Sequence, residues 1–215
     1  MGNMSITIDG PAGAGKSTIA KIIAKVKKLT YIDTGAMYRA VTLKFIQNFV
    51  DTKDAQQIEA LLADIRIELI GDDIYLNGTN VTEEIRSPEV NQLVSEVAKL
   101  SPVRKKMVEF QRTIAAAQNV VMDGRDIGTF VLPDAAYKFF LTASIDERAR
   151  RRFEEQRRKG FTTSLEDVKS EISNRDRIDT ERELAPLIQA EDAILIDTTG
   201  LSIEKVVDKI LSYIQ

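Results

Sequence analysis

The hydrophobic positions of the chain fall into short apolar runs that are separated by longer amphipathic stretches. Five short runs predict strands, at 5–9, 30–33, 119–123, 137–142 and 193–197. Near-continuous apolar strands that alternate with helices are typical of a parallel sheet whose two faces are buried. The pattern therefore predicts an α/β fold that is built on a parallel core sheet.

Helices are predicted where apolar residues recur three or four positions apart. In the segment 17–28 these residues include Ile19, Ile23 and Val26, and the segment 36–49 has the same periodicity. Further helices are predicted over 87–99, 101–117 and 202–214, together with a charged helical region near 145–182.

One segment departs from this alternation of strands and helices. Between 65 and 76, apolar and polar residues alternate on both sides of Asp72-Asp73. This pattern predicts a half-buried antiparallel hairpin with a turn at the two acids. The hairpin and the polar helix that follows it form a mixed insertion near 60–100, which interrupts the parallel sheet.

The bulk composition narrows the class of protein. The 215 residues are 43% hydrophobic and 29% charged, which suits one compact α/β domain with one or two small insertions. The net charge of -3 argues against a protein that binds duplex nucleic acid, since such proteins are usually basic. No apolar run approaches the roughly 20 residues of a membrane span. Because no secretory leader is recognisable either, a cytoplasmic location is expected.

The chain contains neither Cys nor His. Without Cys, disulfides and Cys-ligated metals are excluded. Without His, the chain lacks the commonest metal ligand and the commonest general base near neutral pH. Any chemistry must therefore use carboxylates, Lys, Arg, hydroxyls, backbone amides and Mg²⁺.

The most specific motif lies between the first predicted strand and the first predicted helix. It follows the pattern G-x-x-x-x-G-K-[ST] and comprises Gly10, Pro11, Ala12, Gly13, Ala14, Gly15, Lys16 and Ser17, with Thr18 next in the helix. Small residues let the backbone wrap around an anion, and the positive end of the helix points to the same place. Lys16 would reach the β- and γ-phosphates of ATP, and the Ser17 hydroxyl would bind Mg²⁺. The motif predicts nucleotide binding but does not say what is done with the nucleotide.

Two other strands end in polar groups that suit a second phosphate. Asp33 ends the second strand, Thr34 can cap the next helix, and Arg39 lies near the positive end of that helix. The segment 123–126 (D-G-R-D) lies where ligands bind in an open parallel sheet. A guanidinium group matches a phosphate with two donors, so both places can hold an anion. A solvated Arg beside a helix cap, and a solvated turn, are the alternatives.

Arginines crowd the charged helical region. Arg148, Arg151 and Arg152 share one helix face, and Arg157 follows in the same helix, which Gly160 would end. One interpretation is a mobile lid whose arginines close on the transferring phosphoryl group and exclude water. The alternative is an exposed face on which acidic residues pair with these arginines.

A second charged stripe follows this helix. Arg175, Asp179 and Arg182 recur at i, i+4 and i+7, so they lie on one face if the segment is helical. Such a stripe could meet a ribose and a phosphate together, and a solvated helix face is the alternative.

Five motifs, in this order, make the chain similar to the bacterial cytidylate kinases, which are P-loop nucleoside monophosphate kinases. They are I-D-G-P-A-G-A-G-K-S (8–17), Y-I-D-T-G-A-M-Y-R (31–39), I-R-S-P-E-V (85–90), V-M-D-G-R-D-I-G-T (121–129) and R-D-R-I-D-T-E-R (175–182). Only the first is shared widely among nucleotide-binding proteins. The resemblance covers essentially the whole chain.

The resemblance implies a three-layer α/β/α P-loop NTPase fold with a parallel core sheet. It also implies an NMP-binding insertion that contains a small antiparallel sheet, and a helical lid. The core would comprise 1–36, 116–146 and 183–215, the NMP-binding region 37–115, and the lid with its adjoining helices 147–182.

The resemblance further implies roles for individual residues. For CMP, it assigns the phosphate to Thr34, Arg39, Arg125 and Arg182, the sugar to Tyr38, Arg175 and Asp179, and the cytosine edge to Ser95, Arg104 and Asp126. A carboxylate can accept a hydrogen bond from the exocyclic amino group of cytosine, which uracil lacks. For the transferring phosphoryl group, the assigned residues are Lys16, Arg148, Arg152 and Arg157. Asp33 or Asp123 would bind Mg²⁺ through water.

The predicted reaction transfers the γ-phosphoryl group of ATP to CMP or dCMP, a step of pyrimidine nucleotide metabolism. The acceptor phosphate is already anionic near pH 7, so no strong general base is needed, in agreement with the lack of His. The expected protein is a monomer that binds neither nucleic acid nor membrane. Alternatives are a P-loop kinase of another nucleoside monophosphate or of a sugar acid, and a nucleic-acid-binding NTPase. A regulatory switch is a further alternative, but the [NT]-K-x-D motif of guanine recognition is not found.

Overall fold

The computed structural model describes residues 3–158 and 160–214. The strands are β1 (Ser5–Asp9), β2 (Thr30–Asp33), β3 (Ile67–Ile70), β4 (Asp73–Leu76), β5 (Thr79–Asn80), β6 (Val120–Gly124), β7 (Tyr137–Thr142) and β8 (Ile194–Asp197). The α-helices are α1 (Lys16–Lys27), α2 (Thr34–Gln47), α3 (Ala55–Ala63), α4 (Pro88–Ala98), α5 (Ser101–Ala117), α6 (Ile145–Arg158), α7 (Leu165–Glu181) and α8 (Ile203–Leu211). A 3₁₀-helix covers Glu84–Arg86 and a π-helical turn covers Ile127–Val131.

The chain forms two compact units. The first contains the residues up to Tyr31 and those from Ala115 onward, and the second contains Ile32–Ile114. The division falls inside β2. No helix in the described part of the chain is long and apolar enough to cross a bilayer.

The first unit is built on a five-stranded sheet with the strand order β2-β6-β1-β7-β8. Strand β1 pairs in parallel with β6 and β7, and β7 pairs in parallel with β8, so the predicted parallel core sheet is confirmed. The register places Ile8 opposite Asp123 and Asp9 opposite Gly124. The polar carboxyl ends of β1 and β6 therefore lie side by side.

The core of this unit explains why its strands are so apolar. Ile6 and Ile8 of β1 and Leu141 of β7 are completely buried, in one cluster with residues of α1 and α8. The period of two along a strand places Ile6 and Ile8 on the same face of the sheet. Helices α1 and α8 therefore cover that face through their own apolar stripes.

The second unit contains the hairpin that the alternating pattern predicted, as part of a small antiparallel sheet in the order β3-β4-β5. The turn lies one residue earlier than expected, because Asp73 already pairs with Ile70 and Gly71 takes the positive φ of 62°. Helix α2 packs on α4, on β4 and on the 3₁₀-helix. Helix α3 and the two-residue strand β5 had not been predicted.

Candidate active site

The phosphate-binding motif lies between β1 and α1, as predicted, and its backbone requires glycine. At Gly10, φ is 142° and an added Cβ would lie 2.0 Å from the carbonyl oxygen of Leu141. Gly13 and Gly15 also have positive φ values, of 78° and 88°. Only glycine adopts such a series without strain. Because Gly15 directly precedes α1, the loop runs into the positive end of that helix.

Lys16 is buried at the start of α1, and its Nζ donates to the carbonyl oxygen of Pro11 at 2.7 Å. Burial lowers the pKa of Lys16 well below its usual value, and the charge of Arg125 lowers it further. A phosphate group beside Lys16 would offset both effects, because its negative charge favours the ammonium form. The loop therefore suits a polyanion.

Ser17 and Asp123 meet beside the loop. The Ser17 hydroxyl donates to Asp123 Oδ2 at 2.8 Å, and the hydroxyl of Tyr31 donates to Asp123 Oδ1 at 2.7 Å. A hydroxyl and a carboxylate are oxygen ligands of the kind that Mg²⁺ prefers. Across residues 3–158 and 160–214, no group of three or more acidic side chains is arranged to hold a metal ion. The contact of Tyr31 had not been predicted.

The segment after β6 is tied to the end of α7. Arg125 Nε donates to Asp179 Oδ2 at 2.8 Å, and Arg182 Nη2 donates to Asp126 Oδ1 at 2.9 Å. Burial alone would raise the pKa of Asp179, but the charges of the nearby arginines, which include Arg175, hold it below its usual value. The structure thus brings together residues that the sequence placed in two separate motifs.

Asp9, for which no role had been predicted, holds the backbone that follows Asp126. Its Oδ1 accepts from the N–H of Ile127 at 2.9 Å, and its Oδ2 accepts from the N–H of Gly128 at 2.7 Å. Burial raises the pKa of Asp9 to about 7, even though both hydrogen bonds act in the opposite direction. An acid at the end of an apolar strand, directly before the phosphate-binding motif, was the signal available in the sequence.

Of the three arginines predicted to act in the lid, one contacts the phosphate-binding loop. Arg148 is buried, and it donates to the carbonyl oxygens of Ala12 at 2.9 Å and Ala143 at 3.0 Å. Arg152 pairs with Glu155 of the same helix, at 2.9 Å. The guanidinium of the third, exposed Arg157, lies 5.7 Å from the ring centre of Phe153.

Other charged residues of α6 form ion pairs with one another, as expected for the alternative interpretation of a salt-bridged helix face. Arg150 is exposed and pairs with Glu147 at 2.9 Å and with Glu154 at 2.8 Å. Arg151 pairs with Glu147 and also donates to the carbonyl oxygen of Thr198 at 2.8 Å. Helix α6 therefore combines solvent-exposed ion pairs with arginines that contact loops of the first unit.

In the second unit, the residue that caps α2 is Asp33 and not Thr34. The Asp33 carboxylate accepts from the N–H of Ala36 at 2.8 Å, whereas Thr34 is already the first residue of the helix. Asp33 keeps the extended backbone of a cap residue, with φ of -81° and ψ of 90°, and Thr34 is already part of the helix. Thr34 itself is buried.

The remaining predicted residues of this unit lie on α2, α4 and α5. The guanidinium of buried Arg104 lies 5.6 Å from the ring centre of Tyr38, and its Nη1 donates to the carbonyl oxygen of Ala98 at 3.2 Å. Arg39 donates to Asn91 of α4 at 3.4 Å, a partner that had not been predicted. Ser95 of α4 is buried.

Comparison with known proteins identifies the family. A family model described as Cytidylate kinase matches residues 6–215. The chain belongs to the cytidylate kinase family. A protein named Cytidylate kinase from Carboxydothermus hydrogenoformans is 55% identical over 98% of this chain and 97% of its own length. Another of that name, from Alkaliphilus oremlandii, is 52% identical over 99% and 98% of the two chains.

A solved structure supports the fold of this member of the cytidylate kinase family. The crystal structure of an uncharacterized protein from Eubacterium ventriosum has a TM-score of 0.56 and 14% sequence identity, over 99% of this chain and 98% of the other. At this identity the likeness concerns the fold alone. The parallel sheet, the glycine-rich loop before α1 and the family together confirm the predicted α/β P-loop kinase fold.

Proposed function

We propose that the protein transfers the γ-phosphoryl group of ATP to CMP or dCMP, giving ADP and CDP or dCDP. The match of residues 6–215 to the cytidylate kinase family carries this proposal. The complete phosphate-binding loop at 10–17, with buried Lys16, supplies the groups that bind the phosphates of a nucleoside triphosphate. Family membership favours this reaction over a sugar-acid kinase, a regulatory switch or a nucleic-acid-binding NTPase.

ATP is assigned to residues 10–18, with Lys16 at its β- and γ-phosphates. We assign Mg²⁺ to Ser17 and Asp123, because these oxygen ligands are adjacent, whereas the Asp33 carboxylate caps α2. A bound Mg²⁺ would neutralise charge on the phosphates, which usually supply several of its ligands together with water. The fit of Ser17 and Asp123 to Mg²⁺ rests on their chemistry and their contact.

The acceptor is assigned to two sets of residues. In the first unit, Arg125 and Arg182 would bind the phosphate of CMP, Arg175 and Asp179 its sugar, and Asp126 its cytosine edge. The support for Arg125, Asp126, Asp179 and Arg182 is the pair of hydrogen bonds that fixes their side chains, and the charge of Arg175 acts on Asp179. In the second unit, the family resemblance assigns Thr34 and Arg39 to the phosphate, Tyr38 to the sugar, and Ser95 and Arg104 to the cytosine.

Catalysis in this scheme is positioning and neutralisation of charge, without a general base. Lys16 would stabilise the charge that develops on the transferring phosphoryl group. Arg152 and Arg157 would act from α6, where their present contacts are local and easily exchanged. Arg148 donates to the carbonyl oxygen of Ala12, so it would act from a position beside the phosphate-binding loop.

We further propose that the protein acts in the cytoplasm. We propose that it acts as a monomer, because every residue assigned to the two nucleotides comes from one chain. Sedimentation velocity with and without substrates tests the monomeric state. A second species that binds CMP while the monomer does not would contradict it.

The decisive experiment is an assay of ADP formation from ATP and Mg²⁺ with CMP, dCMP, UMP, AMP, GMP or no acceptor, side by side. We expect CMP and dCMP to give rates well above those of the other acceptors. Rates that are equal for all acceptors and for the blank would overturn the assignment of the acceptor. The assignment of ATP to the phosphate-binding loop would stand.

A further inference from the structure

One ion pair holds both polar backbone groups of Ala12, a residue of the phosphate-binding loop. The N–H of Ala12 donates to Asp176 Oδ1 at 3.0 Å, and the carbonyl oxygen of Ala12 accepts from Arg148 Nη1 at 2.9 Å. Arg148 and Asp176 also pair with each other, and their side chains are only 10% and 19% exposed. Because three groups close on one another, the loop at Ala12 has little freedom to move away from α6 and α7.

Asp176 belongs to the same helix as the residues that meet the segment after β6. Asp179, one turn further along α7, accepts from Arg125 at 2.8 Å. Arg182, at the C-terminal cap of α7, donates to Asp126 at 2.9 Å. The hydrogen-bonded backbone of an α-helix fixes the rise from residue to residue. A displacement of Asp176 therefore moves Asp179 and Arg182 as well.

Apolar packing strengthens the same link. Ala12 forms a buried cluster with Ala149 of α6 and with Val168 and Ile172 of α7. Gly13 leaves no room for a side chain either, since an added Cβ would lie 3.0 Å from the Cβ of Arg148. The phosphate-binding loop is thus attached to α7 by its side chains and by its backbone.

We propose that Asp176 is a positioning residue that couples the ATP-binding loop to the acceptor-binding end of α7, so that each nucleotide raises the affinity for the other. The proposal rests on the proposed function. Asp176 acts through Ala12 and Arg148 and contacts no reacting atom. If the ion pair only stabilised the fold, its loss would lower the melting temperature and leave the coupling between the two nucleotides unchanged.

Titration calorimetry on the full chain tests the coupling. The affinity for CMP is measured with and without Mg²⁺ and the non-hydrolysable ATP analogue AMP-PNP, in the wild type and in Asp176→Asn. In the wild type we expect the analogue to tighten CMP binding by about 5-fold or more, as is typical of coupled sites. In Asp176→Asn this factor falls to about one, and titration in the reverse order must give the same factors.

The matched control is Glu181→Gln. Glu181 lies on the same helix, but it pairs with Arg177 on the surface, where the side chains of Arg177 and Glu181 are 60% and 62% exposed. In this variant the analogue should tighten CMP binding by the same factor as in the wild type. A wild type without coupling, or a folded Asp176→Asn with the wild-type factor, would overturn the proposal.

Two further comparisons keep the result interpretable. If circular dichroism shows that Asp176→Asn does not fold, Arg148→Lys replaces it, because the single nitrogen of lysine does not reproduce the planar fork with which Arg148 bonds Ala12, Ala143 and Asp176. An unchanged factor in Arg148→Lys then overturns the proposal. A wild type that binds the analogue but not CMP overturns the proposed function too, whereas an active CMP kinase with an unaffected Asp176→Asn overturns the coupling alone.

Discussion

The buried carboxyl of Asp9 predicts an unusual dependence of stability on pH. Asp9 is 5% exposed, and burial raises its pKa from an ordinary 3.8 to about 7. The folded chain therefore keeps a proton on Asp9 at pH values where the unfolded chain has released it. Stability falls with rising pH wherever the folded state binds more protons than the unfolded state. The contribution of Asp9 is complete below about pH 4 and is lost as the pH rises to about 7.

The magnitude follows from the two pKa values. A difference of about three pH units corresponds to about 4 kcal/mol over the whole range, with a slope of at most about 1.4 kcal/mol per pH unit. The chain has no His, the side chain that would otherwise titrate in the upper part of this window. Asp179, whose pKa is lowered, has the opposite sign, and its stabilising effect is lost only as the pH falls below 3.8.

Asp9→Asn isolates this contribution, because Asn has nearly the same size but does not ionise. The amide can accept only with its single oxygen, so one of the two hydrogen bonds from Ile127 and Gly128 is lost at every pH. The lost hydrogen bond changes the free energy of unfolding by the same amount at every pH. The ionisation of Asp9 changes it progressively as the pH rises.

Urea unfolding, followed by far-ultraviolet circular dichroism, measures both proteins at several pH values from about 4.5 to about 8. We expect the stability of the wild type relative to Asp9→Asn to fall steadily with pH and to level off above about pH 7. A stability difference that is the same at all pH values would show that Asp9 is ionised in the folded protein throughout, and the argument from burial would be wrong.

Three substitutions test the assigned nucleotide contacts. Lys16→Ala should reduce kcat on the order of 100-fold or more while circular dichroism shows a retained fold, since one electrostatic donor is lost; normal turnover would remove Lys16 from the mechanism. Asp126→Asn should lower kcat/KM for CMP about 10- to 100-fold more than for UMP; an unchanged CMP/UMP ratio in the coupled assay would refute base recognition by Asp126. Arg39→Lys should raise KM for CMP about 10-fold with KM for ATP unaltered, and equal effects on both substrates would contradict its assignment to the acceptor.

The elements that the sequence predicted well are those whose pattern is local. Strands β6 and β7 each contain a short apolar run, at 120–122 and 139–141, so their burial in a parallel sheet followed directly. The hairpin was visible because its alternation has the period of a half-buried strand. Helix α3 was missed because its first turn is polar, although Asp54 caps it by accepting from the N–H groups of Gln56 and Gln57.

The candidate site shows the same division between local and distant interactions. The phosphate-binding loop is contiguous in sequence, so its residues could be named without a structure. Asp9 meets the N–H of Gly128 across 119 positions of sequence, and Asp176 meets the N–H of Ala12 across 164. Neither contact leaves a periodic signal, because the partners are backbone groups. The π-helical turn at Ile127–Val131 was unpredictable for this reason, since Asp9 holds its first residues.

The carboxylates of the first unit explain how several arginines can be buried close together. Arg182 is 9% exposed and pairs with Asp126, and Arg125 keeps its charge beside Asp179 although burial opposes it. Removing one partner of a buried pair typically costs about 3–5 kcal/mol, because the other charge is left without compensation. These acids therefore contribute to the stability of the fold, and they are also assigned to the acceptor.

This double role has a measurable consequence for Asp126. If its only task were to hold Arg182, Asp126→Asn would disturb a phosphate contact that CMP and UMP share, and both rates would fall equally. If Asp126 also accepts from the cytosine amino group, CMP loses an additional hydrogen bond that UMP never made. The rate with UMP therefore reports the positioning of Arg182, and the CMP/UMP ratio reports base recognition, so one variant measures the two contributions separately.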